Sequence, residues 1–290
     1  MQKPLLERFQ KERLLKEVST FEIGGPARLF VEVFSTQELQ EALLYCQSEN
    51  LPFFILGKGS NSLFHDRGFN GLVIANKIGF CNWEGDKVHV GAGYSFSLLG
   101  TQSARKHLAG LEFASGIPGT VGGAIYMNAG ANGSEVCETV EEVEYVTGKG
   151  EIEILKREEI FFAYRTSSFQ KREGAIASAR FSLRPCDLAR DKQLKIIDYR
   201  TRTQPYCDPS AGCVFRNPTG FSAGALIEQS GLKGTRVGGA EVSLIHANFI
   251  VNRGDATAQD VEQLAALIKE KVKEKTGIDL EMEVRTVPYV

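Results

Sequence analysis

Paired cysteines, clustered histidines, long apolar runs and an excess of either charge are all missing from this chain. The six cysteines, at 46, 81, 137, 186, 207 and 213, include no C-x-x-C pair. Neither a zinc spacing nor a redox dithiol is favoured, and a cytosolic chain would keep them as thiols. His65, His89, His107 and His246 lie too far apart in sequence to suggest metal ligands, and read as surface or packing residues. No apolar run approaches the roughly 18 residues of a membrane span. The opening MQKPLLERFQKERLLKE is charged throughout and lacks the apolar core of a signal peptide, so a cytoplasmic location is expected. With 34 basic and 36 acidic residues interspersed, the net charge of -2 offers nothing to nucleic acid or to an anionic membrane. Small anions remain accessible through local sites. Internal repeats and low-complexity segments are absent. The 290 residues, 42% hydrophobic, allow roughly two domains with their own cores.

What the chain does have is glycine placed in two informative stretches. Gly116 to Ala131, GIPGTVGGAIYMNAGA, holds five glycines, no charge and one turn-fixing proline. Without Cβ atoms at Gly119, Gly122 and Gly123, consecutive amides are free to turn toward one point and hold a phosphate. The same composition also suits a buried small-residue turn that lets two elements pack closely. Leu56 to Phe64, LGKGSNSLF, follows the apolar run Phe53 to Leu56 and reads as a second glycine-rich loop leaving a buried strand. It is not a Walker A loop: Pro52 stands where its first glycine would be, and no serine or threonine follows Lys58. Gly57, Gly59 and Ser62 make only a near miss to a Rossmann fingerprint, and FHDRGFNGLVI after them lacks helical periodicity.

The scaffold around these loops is mixed. Val88 and Val90 alternate with Lys87 and His89 as in a half-buried strand, and Ser95 to Leu108 suits a helix. Ser35 to Gln47 opens with a capping box, Ser35 with Glu38, and puts Leu39, Ala42, Leu43 and Cys46 on one face, to pack on the first sheet. Thr257 with Asp260 repeats the signal ahead of Val261, Leu264, Ala265, Ile268 and Val272, with Gly277 as the stop. From Val140 to Arg184 the pattern is strand-rich. The polar run Asp187 to Pro205 reads as the segment between domains. Beyond it come a helix around Ala223 to Ser230, a strand at Asn248 to Asn252, and a C-terminal helix and strand.

Together with YRTSSF at Tyr164 to Phe169 and GCVFRNP at Gly212 to Pro218, this ordered set resembles the UDP-N-acetylmuramate dehydrogenase (MurB) family. The resemblance extends from FEIGGPA at Phe21 to EMEVRTVP ending at Pro288. Its shorter class is implied, since Arg216 to Val237 leaves little room for the longer class's insertion. The implied fold is α+β: a two-lobed FAD-binding domain of the vanillyl-alcohol-oxidase type and a smaller α+β substrate-binding domain. The expected division is an N-terminal segment 1–20, an FAD-binding domain 21–186 with lobes of about 21–75 and 76–186, a connecting segment 187–205 and a substrate domain 206–290. The implied reaction reduces the enolpyruvyl double bond of UDP-N-acetylglucosamine enolpyruvate, with hydride passing from NADPH through non-covalent FAD, in peptidoglycan precursor synthesis. Oligomeric state stays open, as monomer or weak oligomer.

The resemblance also implies site residues. FAD would be held by Gly57, Lys58, Gly59, Ser60, Asn61 and Ser62, and by Gly116, Ile117, Pro118, Gly119, Thr120, Gly122, Gly123 and Ala124, with Asn128 and Ile176. Arg165 and Glu283 match the charge-stabilising pair, and Tyr164, Arg216 and Asn217 match substrate contacts. Cys213 stands where the commonest family pattern has a proton-donating serine. A free thiol, with a pKa of about 8.5, is mostly protonated near neutrality and is the stronger acid. Apart from the resemblance, Arg165 would read as a surface arginine, Glu283 as a solvated strand residue, and Cys213 as a small buried hydrophobe. Two rivals remain: an oxidase of the same superfamily acting on an alcohol or sugar, and a catalytically silent nucleotide-binding module. The first often carries covalent flavin on histidine or cysteine, yet neither glycine loop contains a histidine.

Overall fold

The structure is a computed structural model that describes residues 3–290, so Met1 and Gln2 of the N-terminal segment lie outside it. The chain forms two compact units. The first comprises residues 3–11, Leu29–Gly57 and Gly71–Arg200, and the second Glu12–Arg28, Lys58–Asn70 and Thr201–Val290.

In the first unit, Phe53–Leu56 runs parallel to the strand Phe69–Asn76, with Phe53 opposite Leu72 and Leu56 opposite Ala75. Helix α1 (Thr36–Ser48) buries Leu39, Ala42, Leu43 and Cys46 against Val31, Val33, Leu72 and Ile74, as its periodicity predicts. Ser35 accepts the Glu38 amide at 3.2 Å, but the return half of the capping box goes elsewhere. The Glu38 carboxylate takes the Phe34 N–H at 2.8 Å and pairs with Arg8, which holds its pKa below the usual carboxylate range.

A five-stranded antiparallel sheet follows, in the order Ile152–Lys156, Val140–Thr147, Gly174–Ser182, Lys87–Gly91, Cys81–Glu84. Val88 and Val90 point into the core and Lys87 stays out, the alternation the sequence predicts. Helix α2 (Phe96–Arg105), capped by Ser95, and helix α3 (Val121–Tyr126) pack on this sheet through Phe96, Leu99, Val121 and Ile125. The polar run after Asp187 is no loose connection. Ala189–Thr203 forms helix α4, whose residues are mostly good helix formers, with Ala189, Gln193 and Arg200 buried on one side.

The second unit holds an antiparallel sheet ordered Ser210–Cys213, Phe249–Asn252, Ala240–Val242, Arg236–Val237. Helices α5 (Ala223–Gln229) and α6 (Ala258–Thr276) close its core, where Ile227, Val242, Ile250, Val261, Leu264, Ile268 and Val272 meet. Here the capping box is complete. Asp260 N–H donates to Thr257 Oγ1 at 3.1 Å and Thr257 N–H to Asp260 Oδ2 at 3.0 Å, and Gly277 ends the helix at φ 74°. A parallel pair, Ser62–Phe64 with Arg285–Val287, completes the unit.

Candidate active site

Within the first unit the end of one glycine loop meets the other. A Cβ on Gly57 would lie 2.6 Å from Thr120 Oγ1, closer than real Cβ contacts come, so only glycine fits that approach. Thr120, itself 5% exposed, caps α3 by accepting the Gly123 N–H at 3.3 Å. The loop is stitched to the segment after the strand Lys87–Gly91. Gly122 N–H donates to Ala92 O at 2.8 Å, Val121 N–H to Tyr94 O at 2.9 Å, and Phe96 N–H to Gly119 O at 3.1 Å. Its start is fastened by Gly116 N–H on Ser97 Oγ at 2.7 Å and Ile117 N–H on Ala114 O at 3.0 Å, followed by exposed Pro118.

These bonds correct the expectation that the amides of Gly122 and Gly123 stand ready for a phosphate. Both donate within the protein, because the capped first turn of α3 uses one and the sheet-side segment the other. Gly122 is needed for packing, since its Cβ would sit 2.9 Å from Ala92 Cβ. Gly123 is different: it is exposed, and a Cβ there would meet nothing nearer than Thr120 Oγ1 at 3.5 Å. No packing demand explains that glycine. Ala124 is buried on the opposite, core-facing side of α3, and Ile176 lies buried in the central strand.

Arg165 sits at the tip of a hairpin that pairs Phe162 with Ser167 and Ala163 with Thr166. Its φ is 54°, a left-handed conformation that a non-glycine residue adopts at a cost, and its guanidinium lies 5.0 Å from the ring centre of exposed Tyr164. The hairpin is tied to the end of α3. Tyr126 O accepts Ser167 Oγ at 2.7 Å and Gln170 Nε2 at 2.9 Å, and Gln170 Nε2 also donates to Arg165 O at 3.1 Å. Asn128, fully buried, gives its amide hydrogens to Ala163 O at 3.0 Å and Glu135 Oε2 at 2.8 Å, and its oxygen accepts Cys137 N–H at 3.2 Å. Its side chain therefore braces the hairpin. Ser97, Ser167 and Gln170 are contributors that the sequence reading misses, since a lone polar residue beside a motif gives no sign of its partner.

The second unit brings Cys213 and Glu283 onto neighbouring segments. Cys213 ends the strand Ser210–Cys213 opposite Phe249, after a register shift at Gly212 with φ 76°. The next residue, Val214, accepts the Glu283 N–H at 2.7 Å, and Arg216 N–H donates to Glu281 O at 2.9 Å. The glycine loop that contains Asn61 joins them here: Asn61 Nδ2 donates to Glu283 O at 3.2 Å, Asn61 O accepts Arg285 N–H at 3.1 Å, and Ser62 pairs with Arg285. Ser60 O lies 3.9 Å from where a Gly212 Cβ would stand, Gly59 is buried against Ser19, and Lys58 is exposed. Asn217 Oδ1 accepts the Ala223 N–H at the start of α5 at 2.9 Å. Arg216 Nε is buried and donates to nothing among the described residues, an arrangement that costs free energy unless a ligand takes it up.

His65 Nδ1 accepts the Arg67 N–H at 3.0 Å and its ring neighbours Tyr289, 6.4 Å away. His89 and His246 are held below the usual histidine pKa, both chiefly by burial. All six cysteines are free thiols. Among the described residues no group of three or more His, Cys, Asp and Glu could hold a metal ion, and no helix is long and apolar enough to cross a membrane.

Fold and site together define a flavoprotein, because residues 27–156, which carry both glycine loops, match the FAD binding domain family. Exposed Gly123, which has no packing reason to be glycine, fits such a cofactor, whereas Gly57 is required by Thr120 itself. Residues 204–287 match the C-terminal domain of UDP-N-acetylenolpyruvoylglucosamine reductase. The reductase of that name from Protochlamydia amoebophila is 60% identical over 283 residues, covering 97% of this chain and 94% of that one. Its counterpart from Chlamydia pneumoniae is 47% identical over 276 residues, 95% of this chain and 90% of that one. The crystal structure of UDP-N-acetylenolpyruvylglucosamine reductase (MurB) from Thermus caldophilus matches with a TM-score of 0.82 and 38% identity, over 96% of this chain and 98% of that one. The chain belongs to the UDP-N-acetylenolpyruvoylglucosamine reductase family, in its shorter class. Its fold is the α+β arrangement expected, an FAD-binding domain followed by the C-terminal domain of the reductase family.

Proposed function

We infer that this chain reduces the enolpyruvyl double bond of UDP-N-acetylglucosamine enolpyruvate to give UDP-N-acetylmuramate, with NADPH as reductant. The observation that carries the reading is 60% identity to a reductase of that name over 283 residues, 97% of the chain. A cytoplasmic place in peptidoglycan precursor synthesis, and through it in cell shape and division, follows from the same reading.

FAD, held by the loops around Gly57 and Gly119, would supply the hydride for the terminal carbon of the enolpyruvyl group, with NADPH as its source. The protein's part is to manage the charge and the proton. Negative charge grows on the carbon beside the carboxylate and on the carboxylate itself, and the Arg165 guanidinium, paired in function with Glu283, stabilises it. The Cys213 thiol then gives its proton to that carbon, which completes the reduction. Tyr164, Arg216 and Asn217 hold the substrate; the buried, unpartnered Nε of Arg216 supports its role as a donor kept for a ligand. Gly57 to Ser62, Gly116 to Ala124, Asn128 and Ile176 serve the flavin, Asn128 by bracing rather than by an open amide. On this reading the FAD-binding domain lies within residues 21–186 and the substrate domain within 206–290, with residues 21–28 and 58–70 grouped in the second compact unit.

The test is spectroscopic and kinetic. The purified protein is expected to be yellow, to release its flavin on acid denaturation, and to oxidise NADPH when the enolpyruvyl substrate is added. A colourless protein that takes up no added FAD sinks the reading. Flavin retained on the denatured chain, with dioxygen as the acceptor, points to an oxidase instead.

A further inference from the structure

The geometry points to Gln170 as the residue that positions Arg165 for the reduction step, a proposal that rests on Arg165 acting in that step as inferred above. Arg165 carries a bulky side chain at φ 54°, where L-residues other than glycine meet steric resistance. A hairpin of two residue pairs is too short to impose that conformation through its own ladder. Gln170 supplies a constraint from outside the ladder. Its one amide nitrogen donates to Arg165 O at 3.1 Å and to Tyr126 O at 2.9 Å, clamping the carbonyl of the strained residue to the last residue of α3.

The acceptor is well suited, because the final carbonyls of a helix have no partner within it. The donor is also fixed. Gln170 lies in the short 3-10 turn Ser168–Lys171, next to Phe169, which is 1% exposed and has its ring centre 5.2 Å from that of Tyr145. Ser167 Oγ ties the hairpin to Tyr126 O of α3 and Asn128 Nδ2 holds its Ala163 O, whereas Gln170 reaches Arg165 itself. The N-terminal cap of α3 is Thr120, the residue against which Gly57 is pressed. One six-residue helix thus refers both the glycine loop and Arg165 to the same frame. Gln170 acts through Arg165 and is a positioning residue.

The experiment uses the FAD-loaded enzyme and follows the two half-reactions separately by stopped flow. Gln170→Glu is isosteric and offers no donor at neutral pH, and Gln170→Met keeps the volume without setting a carboxylate against two carbonyls. With either variant, flavin reduction by NADPH is expected to stay within about twofold, while oxidation by the enolpyruvyl substrate slows by about tenfold to a hundredfold, as small misplacements do. In an Arg165→Ala background the same substitutions are expected to add less than about twofold, because a residue acting only through Arg165 has nothing left to lose. Should Gln170→Glu fail to hold FAD, Gln170→Met carries the same comparison. Unchanged substrate oxidation, equal slowing of both half-reactions, or a full additional loss on top of Arg165→Ala overturns the proposal while leaving Arg165 in its role. If Arg165→Ala itself leaves substrate oxidation untouched, the reading of Arg165 falls, and this proposal with it.

Discussion

The three groups proposed for the chemistry are held in two contrasting ways. Cys213 and Glu283 stand on segments joined by backbone hydrogen bonds, Val214 O with Glu283 N–H and Glu281 O with Arg216 N–H. Arg165 stands on a two-pair hairpin whose place is set by side chains: Gln170, Ser167 and Asn128. Backbone ladders survive almost any substitution, because every residue but proline carries the same donor and acceptor. Side-chain tethers do not. The first arrangement tolerates sequence change and isolates chemistry from position, while the second makes position itself mutable.

The sharpest way to probe the ladder-held half is Cys213→Ala. Loss of a general acid typically costs about a hundred to ten-thousandfold. That loss is expected in the substrate half-reaction alone, with FAD content and flavin reduction by NADPH near wild type, since the Val214 and Phe249 pairings remain. Cys213→Ser should keep substantial activity, and thiol alkylation should inactivate with substrate protecting. Near wild-type turnover of Cys213→Ala would take the thiol out of the mechanism.

On the tethered half, Arg165→Lys keeps the charge but loses the planar fork. Turnover is expected to fall by up to roughly a hundred to a thousandfold, or about 2.7 to 4 kcal/mol of transition-state stabilisation. Stopped-flow traces should place the loss in substrate oxidation. Equal slowing of flavin reduction would reassign Arg165 to nucleotide binding or structure.

Tethers that serve only stability should cost less. Thr257→Ala removes one arm of the reciprocal box at α6, and about 1 kcal/mol is expected from denaturant unfolding, with activity unchanged. Ser35→Ala should cost less than this, because Glu38 stays anchored by Phe34 and Arg8. The reverse ranking would show that the Glu38 contacts depend on the cap.

The smallest effect is a pH slope. Burial disfavours the charged imidazolium of both His89 and His246, so their folded-state pKa values lie below the unfolded value of about 6.5. The unfolded chain then binds more protons, and this contribution to stability is complete above about pH 6.5 and is lost as pH falls through the folded value. Denaturant midpoints should decline between neutral and mildly acid pH. His246→Asn, which keeps an acceptor for the Asn248 N–H, should flatten that decline. An unaltered slope would assign it to other groups.

The sequence by itself determined the elements with a local signature: α1 and α6 with their caps, the alternating strand Lys87–Gly91, the stop at Gly277, and the ordered motifs that carry the family. Each depends on residues within a few positions of one another, where periodicity and capping chemistry act. Tertiary structure alone decided the partners that lie far off in sequence. The Glu38 carboxylate turned to Arg8, and the Gly122 amide went to Ala92. Gln170 found a carbonyl five residues back and another 44 back. Hydrogen bonds are satisfied by whatever the fold brings within about 3 Å, and a one-dimensional pattern does not encode that proximity.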